Sequence, residues 1–337
     1  MNKSLVPVLK LAVILFCFGL IYHAVDLEGT LSNLSQVSPL PLLAAFACVL
    51  VEPLLMAHRT ALLMRQKDMH INVPRLTRLI FTSNFLSVAV PSGVGPDALR
   101  LLLLKKAGYS GTHSTSVLLM DRMLSVQALA LLSVPGLLVI WNTFPEQHVL
   151  WGVVMGIGLI FFLSTLALST IPGLCLAWAI KKYPNTHHVR QHYLSNLKKW
   201  LIRGMEILAA IHASFHAFHA SYCLLVKILF WNVINQLLRV VQILLLFIAV
   251  GHPVSPGAGL AFVPIIIMVA LLPITYFGLG LKEGAFLYFF VQVGIPASIC
   301  LSVSLLTYLL IFAAMIPGAF FFLRTNTFSD KVHEDKT

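Results

Sequence analysis

Pro91-Ser-Gly-Val-Gly-Pro-Asp97-Ala-Leu-Arg100 breaks an apolar region, residues 77–106, with two prolines, two glycines and a pair of opposite charges. A helix interior does not tolerate that composition: proline removes a backbone donor and its ring clashes with the preceding turn. Within a bilayer, irregular backbone survives only where it is buried in protein or lines a cavity. The hydrocarbon core is about 30 Å thick, so the stretch from Arg78 to Arg100 is too short to cross it twice. It is expected to dip in from one side and return. A second apolar region, 258–293, is broken in the same way by Pro273-Ile-Thr-Tyr-Phe-Gly278-Leu-Gly280-Leu-Lys282-Glu283-Gly284. Its first arm is long enough to span, so a re-entrant hairpin and a full crossing pair both stay open there.

Six uninterrupted apolar segments flank these hairpins, approximately 7–25, 39–63, 115–140, 149–178, 221–250 and 298–323. Each is near the roughly 20 residues a helix needs to cross. The expected fold is therefore all-α: a polytopic helical membrane protein with six full spans and two Pro/Gly-broken hairpins. The composition agrees. Hydrophobic residues make up 58% of the 337-residue chain and charged residues 10%, against about 25% charged in soluble domains. A surface so poor in charge faces lipid.

Lys and Arg collect on one set of connections, from Arg65 to Arg78, from Arg100 to Lys106, from Lys181 to Arg203 and from Arg324 to Lys336. The opposite set (26–38, 141–148, 251–257 and 294–297) contains neither. The positive-inside rule then places both termini in the cytoplasm of a cell membrane. The net charge of +11 suits an anionic inner leaflet. No nucleic-acid-binding motif accompanies it, so no nucleic-acid partner is expected. Lys3 and Lys10 precede the first apolar run without a small-residue cleavage site, which reads as a retained first helix. Cys17, Cys48, Cys175, Cys223 and Cys300 all sit in apolar stretches without a CxxC pair, so they read as packing residues.

The chain also resembles itself. A shift of 186 residues brings Asp97-Ala-Leu-Arg100 onto Glu283-Gly-Ala-Phe286, Gly108 onto Gly294, Ser116 onto Ser302 and Leu124 onto Leu310. Upstream, Val-Ala-Val-Pro91 is similar to Val-Ala-Leu-Leu-Pro273. A single membrane domain, 1–337, thus divides into a first half, 1–140, and a second, 149–324, joined by a basic connection at 179–220 and followed by a tail at 325–337. Each half holds three full crossings, an odd number, so the second is expected upside down relative to the first. Inverted repeats with broken helices place their binding sites at the repeat interface.

Ionisable side chains in the membrane are functional candidates by default, because each costs about 2.5 kcal/mol or more to insert. Gly93 and Gly95 let backbone N–H groups turn toward a ligand, and a helix starting near Asp97 aims its positive end inward. Asp97 either caps that helix or meets substrate, with Arg100 beside it. Asp121 and Arg122 lie about two turns into their span, as a ligand contact or an internal ion pair. Asn232, Asn235, Arg239 and Gln242 recur at spacings of three, four and three, which puts them on one helical face. A planar guanidinium suits a phosphate. A carboxylate such as Glu52 or Glu283 is the competing partner for Arg239. Arg59 shares a face with Glu52, and Lys282 and Glu283 repeat the charges of the first hairpin. His212, His216 and His219 lie at i, i+4 and i+7, but no acid sits among them, so they read as an interfacial amphipathic helix and no metal or cofactor is expected. No nucleotide-binding fingerprint appears.

Together, Phe81-Thr-Ser-Asn84, Pro91 to Arg100, Lys-Ala-Gly108-Tyr-Ser, Asp121-Arg122 and the stretch around Pro273, Gly278, Gly280, Lys282 and Glu283 resemble the membrane region of the lysylphosphatidylglycerol synthase and flippase family. The usual Gly-Asp of the first motif reads Pro96-Asp97 here. The resemblance implies a domain that moves a lipid between leaflets, without the cytoplasmic aminoacyl-transferase domain. Arg59, Asn84, Pro91, Gly93, Gly95, Asp97, Arg100, Asp121, Arg122, Arg239, Pro273, Gly278, Gly280, Lys282 and Glu283 are the expected headgroup-binding residues. The expected function is a non-enzymatic, flippase-like transporter of an anionic phospholipid or lipid-linked glycan in the cytoplasmic membrane. Its partners are membrane lipids, and a homo-oligomer or lipid-biosynthetic enzymes stay open as further ones. An intramembrane enzyme on a lipid-linked substrate and a non-transporting partner of a biosynthetic complex are the alternatives.

Overall fold

The computed structural model describes residues 19, 25–88, 95–141, 159, 222–271, 275 and 278–324. The expected spans at 7–25 and 149–178, most of the connection at 179–220, the His212–His219 stretch and the tail at 325–337 lie outside the described residues, apart from single positions. The described residues are helical: α1 (Leu27–Ser35), α2 (Pro39–Arg65), α3 (Val73–Ser87), α4 (Gly95–Lys106), α5 (Gly111–Trp141), α6 (Tyr222–Ala249), α7 (Pro256–Ala270), α8 (Leu281–Val291) and α9 (Ala297–Arg324). Four of them, α2, α5, α6 and α9, are long and apolar enough to cross a membrane. They coincide, within a few residues, with four of the six expected spans.

The hairpins resolve into paired short helices. α3 and α7 each have 15 residues, or about 22 Å at 1.5 Å per residue, less than the hydrocarbon thickness. The first arm of the second hairpin is thus shorter than its apolar composition implied. Pro264 lies inside α7, and the helix closes at Leu271, two residues before Pro273.

The helix order repeats in number as well as in kind. Helix starts at 73 and 111 recur at 256 and 297, offsets of 183 and 186. The three extra residues fall inside the second hairpin. The caps repeat too. Asp68 and Gly251, 183 apart, and Gly108 and Gly294, 186 apart, all have positive φ. Behind each runs the same closing hydrogen bond five residues back: Met69 to Met64, His252 to Phe247, Tyr109 to Leu104 and Ile295 to Phe290. That is the left-handed termination that satisfies a helix's last carbonyls. α2 and α6, equivalent in this register, run antiparallel. The Ser38 N–H bonds the Ala249 carbonyl at 2.8 Å, while His58 and Trp231 stack edge-on at 5.0 Å near the other ends.

Packing follows the same duality. α3 lies against α9, and α7 lies against α5, so each hairpin docks on the last span of the other half. Lipid offers apolar side chains nearly the same environment as protein, so close backbone approach and interlocking shape hold such helices together. Gly318 meets the Phe81 backbone where α9 crosses α3; a Cβ there would run into the Phe81 carbonyl. On the other side Phe247, Phe262, Phe286, Phe289 and Phe290 interlock with ring centroids 4.6 to 5.6 Å apart. Large apolar side chains such as Leu40, Val226, Leu309 and Ile316 stay exposed on the outside, as a lipid-facing surface requires.

Candidate functional site

Among the described residues, seven ionisable side chains from four helices line one cavity of about 200 Å³ between the halves: Glu52 and Arg59 (α2), Asp97 and Arg100 (α4), Asp121 and Arg122 (α5) and Arg239 (α6). Low-dielectric surroundings force such groups to pair. Arg59 Nε lies 2.7 Å from Asp121 Oδ1, with both side chains at most 4% exposed, and Arg59 Nη2 donates to Oδ2 at 3.3 Å. This pair clamps α2 to α5.

Arg100 anchors the first hairpin. Its Nη1 contacts Asp97 Oδ1 at 3.0 Å, Nη2 donates to Asn84 Oδ1 at 3.0 Å, and Nε donates to Ser83 Oγ at 3.3 Å. One guanidinium thereby ties α4 to α3 beside a proline-rich break. Asp97 turns its other oxygen to Arg122 Nη1 at 3.6 Å. Asp121 and Arg122, adjacent in sequence, hold different partners.

Arg239 points Nε and Nη2 at Glu52 Oε2, both at 3.0 Å. Its Nη1 donates to Gln236 Oε1 at 3.4 Å, and Gln236 Nε2 donates to Ser125 Oγ at 3.1 Å. The polar face read from the sequence is inside the bundle: Asn232, Asn235, Gln236 and Gln242 are all buried. Gln236 and Ser125 complete this chain and were not among the expected residues. Gln236 carries the same signal as its neighbours, three positions before Arg239 on the same helical face. Ser125 carries none, because a lone serine in an apolar span is ordinary.

Among the described residues the charges do not cancel: four arginines share three carboxylates, Asp97 serving both Arg100 and Arg122. Arg122 is the most accessible, with 45% of its side chain exposed. Arg59 and Asn235 line the cavity, and Arg59 Nη1 and Asn235 Oδ1 are buried without hydrogen-bond partners among the described residues. An anion with a hydrogen-bonding substituent would satisfy this arrangement.

A second cavity of about 350 Å³ adjoins the first, sharing Glu52, Pro96, Arg122, Arg239 and Leu271 with it. Its walls are otherwise largely apolar. Lys282 lines it, with its ammonium 4.1 Å from the Tyr308 ring centroid. The two hairpins therefore converge: Pro96 lies on the same cavity as Lys282, and Leu271 on the same cavity as Asp97.

Glu283 has a different task from its counterpart Asp97. Its Oε2 accepts from the Gly280 N–H at 2.7 Å, closing the start of α8, and Tyr308 hydrogen-bonds it from α9. Glycine is required just before it. Gly278 has φ of 74°, and a Cβ there would stand 2.9 Å from the Ala270 side chain. Gly95 is buried as the first residue of α4. Pro91, Gly93 and Pro273 lie outside the described residues.

The family model for the lysylphosphatidylglycerol synthase TM region matches residues 8–318, nearly the whole chain. Comparison with individually curated proteins finds no significant match. The chain belongs to the lysylphosphatidylglycerol synthase transmembrane family, and it is a multi-pass membrane protein.

Proposed function

We propose that this member of the family is a lipid translocase, which carries a phosphate-bearing anionic lipid between the leaflets of a cytoplasmic membrane without chemical change. The observation that carries the reading is the excess of arginine over carboxylate in a cavity walled by both halves and both hairpins. Guanidinium groups pair with phosphate through planar, charge-assisted hydrogen bonds. A charged cavity inside an apolar helix bundle is costly to build, and an anionic headgroup passing through it is the use that fits its chemistry. Its size favours a small headgroup over a glycan: about 200 Å³ lies below the range of about 300–1,000 Å³ typical of pockets for drug-sized ligands.

The architecture supports the same reading. Antiparallel equivalent helices and repeated caps are what an inverted repeat of six spans produces, and the short arms α3 and α7 favour two re-entrant hairpins. Rocking one repeat against the other would expose the shared cavity to each leaflet in turn. The Lys- and Arg-rich connections would then face the cytoplasm.

Native mass spectrometry of protein extracted from phosphatidylglycerol and phosphatidylcholine bilayers tests the binding step. The expected result is one tightly retained phosphatidylglycerol, lost in Arg122→Leu and Arg239→Leu. Equal retention of both lipids, or retention untouched by either substitution, would remove the basis for the proposal.

A further inference from the structure

The two adjoining cavities are images of each other under the internal repeat. At the 186-residue offset of the second hairpin arm and last span, the first cavity's Arg100, Asp121, Arg122 and Ser125 correspond to Phe286, Thr307, Tyr308 and Ile311 of the second. At the 183-residue offset of the preceding helices, Arg59 and Asn84 correspond to Gln242 and Ile267. One architectural pocket thus occurs twice, and every one of these polar or charged positions is uncharged in the second copy. Arg122, Arg239 and Glu52 border both pockets, and they form a charged seam between a polar chamber and an apolar one.

We infer that the second cavity is a hydrocarbon-chain subsite, which takes one acyl chain of the same lipid whose phosphate lies at the seam. This rests on the translocase reading and adds how the lipid is held. Phosphate between Arg122 and Arg239 puts a small headgroup in the first cavity, beside Asn235. The glycerol and one chain then extend the other way, past Lys282, along Phe286, Ile267, Ile311 and Met315. The volume suits this occupant: 350 Å³ lies in the range of about 300–1,000 Å³ typical of pockets that enclose small organic ligands. The lining suits it too. Among the described side chains of the second cavity that the first does not share, Lys282 carries the one formal charge. It sits against the Tyr308 ring, where it can hold a phosphate or ester oxygen while its stem lines the chain's path.

Two such subsites separate two kinds of recognition that a simple anion site would combine. A deacylated headgroup binds only the polar chamber; the intact lipid uses both. The test uses the full chain in nanodiscs containing phosphatidylglycerol that carries a diazirine near the end of one acyl chain. After irradiation, adducts are mapped by peptide mass spectrometry. The expected adducts include Phe286 and Ile266, which are 1% exposed and out of reach of bulk lipid, and Met315→Trp, which fills the second cavity, should abolish them. Binding of glycerophosphoglycerol, measured in parallel, should be unchanged by Met315→Trp and lost in Arg239→Leu. Adducts confined to outward positions such as Ile316 and Leu323 in the unsubstituted protein would overturn the chain subsite, whether or not Met315→Trp folds. If glycerophosphoglycerol binds while those buried adducts are missing, the chain subsite alone fails. If neither appears, the anionic-lipid reading fails with it.

Discussion

Arg59 and Asp121, 62 residues apart in sequence, form an almost completely enclosed ion pair between two helices, 2.7 Å between Nε and Oδ1. Removing one member of such a pair leaves an uncompensated buried charge, at a cost of about 3–5 kcal/mol, whereas replacing both with apolar groups is often neutral. Arg59→Leu and Asp121→Leu should each lower the thermal stability of the purified protein sharply, and the double variant should recover most of the loss. Scanning fluorimetry in detergent checks this. Single variants as stable as the parent would show that the pair does not clamp α2 to α5.

Arg239 uses three nitrogens on Glu52 and Gln236, and lysine cannot reproduce that fork. Arg239→Lys should leave the fold intact and weaken anionic lipid binding by about tenfold or more, the loss expected when one charge-assisted hydrogen bond worth roughly 1.5–3 kcal/mol disappears. Retained lipid counted by native mass spectrometry is the readout. Unchanged binding would make Arg239 a purely structural partner of Glu52.

Asp97 and Glu283 occupy equivalent positions but hold different partners, so neutralising them should give unequal results. Glu283→Gln keeps an oxygen that accepts from the Gly280 N–H, as amide side chains do in helix caps, and lipid exchange should persist with a modest loss of stability. Asp97→Asn withdraws a carboxylate from two arginines and should stop exchange. Equal effects of the two changes would contradict this division of labour.

The sequence was informative where one local rule acts alone. Pro, Gly and charge marked both hairpins, four spans fell within a few residues of their observed ends, and the 186-residue register found Gly108 and Gly294, which close equivalent helices with the same backbone geometry. Burial of the Asn232-to-Gln242 face followed from spacing. The pairing scheme did not. Asp121 and Arg122 are neighbours in the chain, yet they project toward α2 and α4 respectively, and only the packing of those helices decides which arginine meets which acid. The similar charges at Asp97 and Glu283 also concealed a divergence, since Gly280 draws Glu283 back onto its own helix. The arm α7 is shorter than its apolar composition implied, closing at Leu271.

Gly318 lets α9 lie directly on the Phe81 backbone. Gly318→Ala should force the helices apart and cost about 1–3 kcal/mol, as overpacking does, visible as a lower melting temperature without loss of lipid specificity. A stability equal to the parent would mean that this crossing opens at no cost.

Orientation is open to a direct check in a cysteine-free background. Cysteine in place of Ser255, between α6 and α7, should react with an impermeant maleimide on intact cells, while cysteine in place of His70, between α2 and α3, should react only after lysis. The reverse pattern would invert the topology.

Leaflet exchange itself is the most direct measurement. Purified protein is reconstituted into sealed vesicles containing a trace of phosphatidylglycerol with a dithionite-sensitive fluorophore on one acyl chain, and dithionite is added to bleach the outer leaflet. Bleaching should continue past the outer-leaflet plateau in vesicles with the parent protein, and stop at that plateau with Arg239→Leu or Asp97→Asn, both folded. Bleaching that stops at the plateau with the parent protein, or continues equally with all three, would contradict lipid translocation through this cavity.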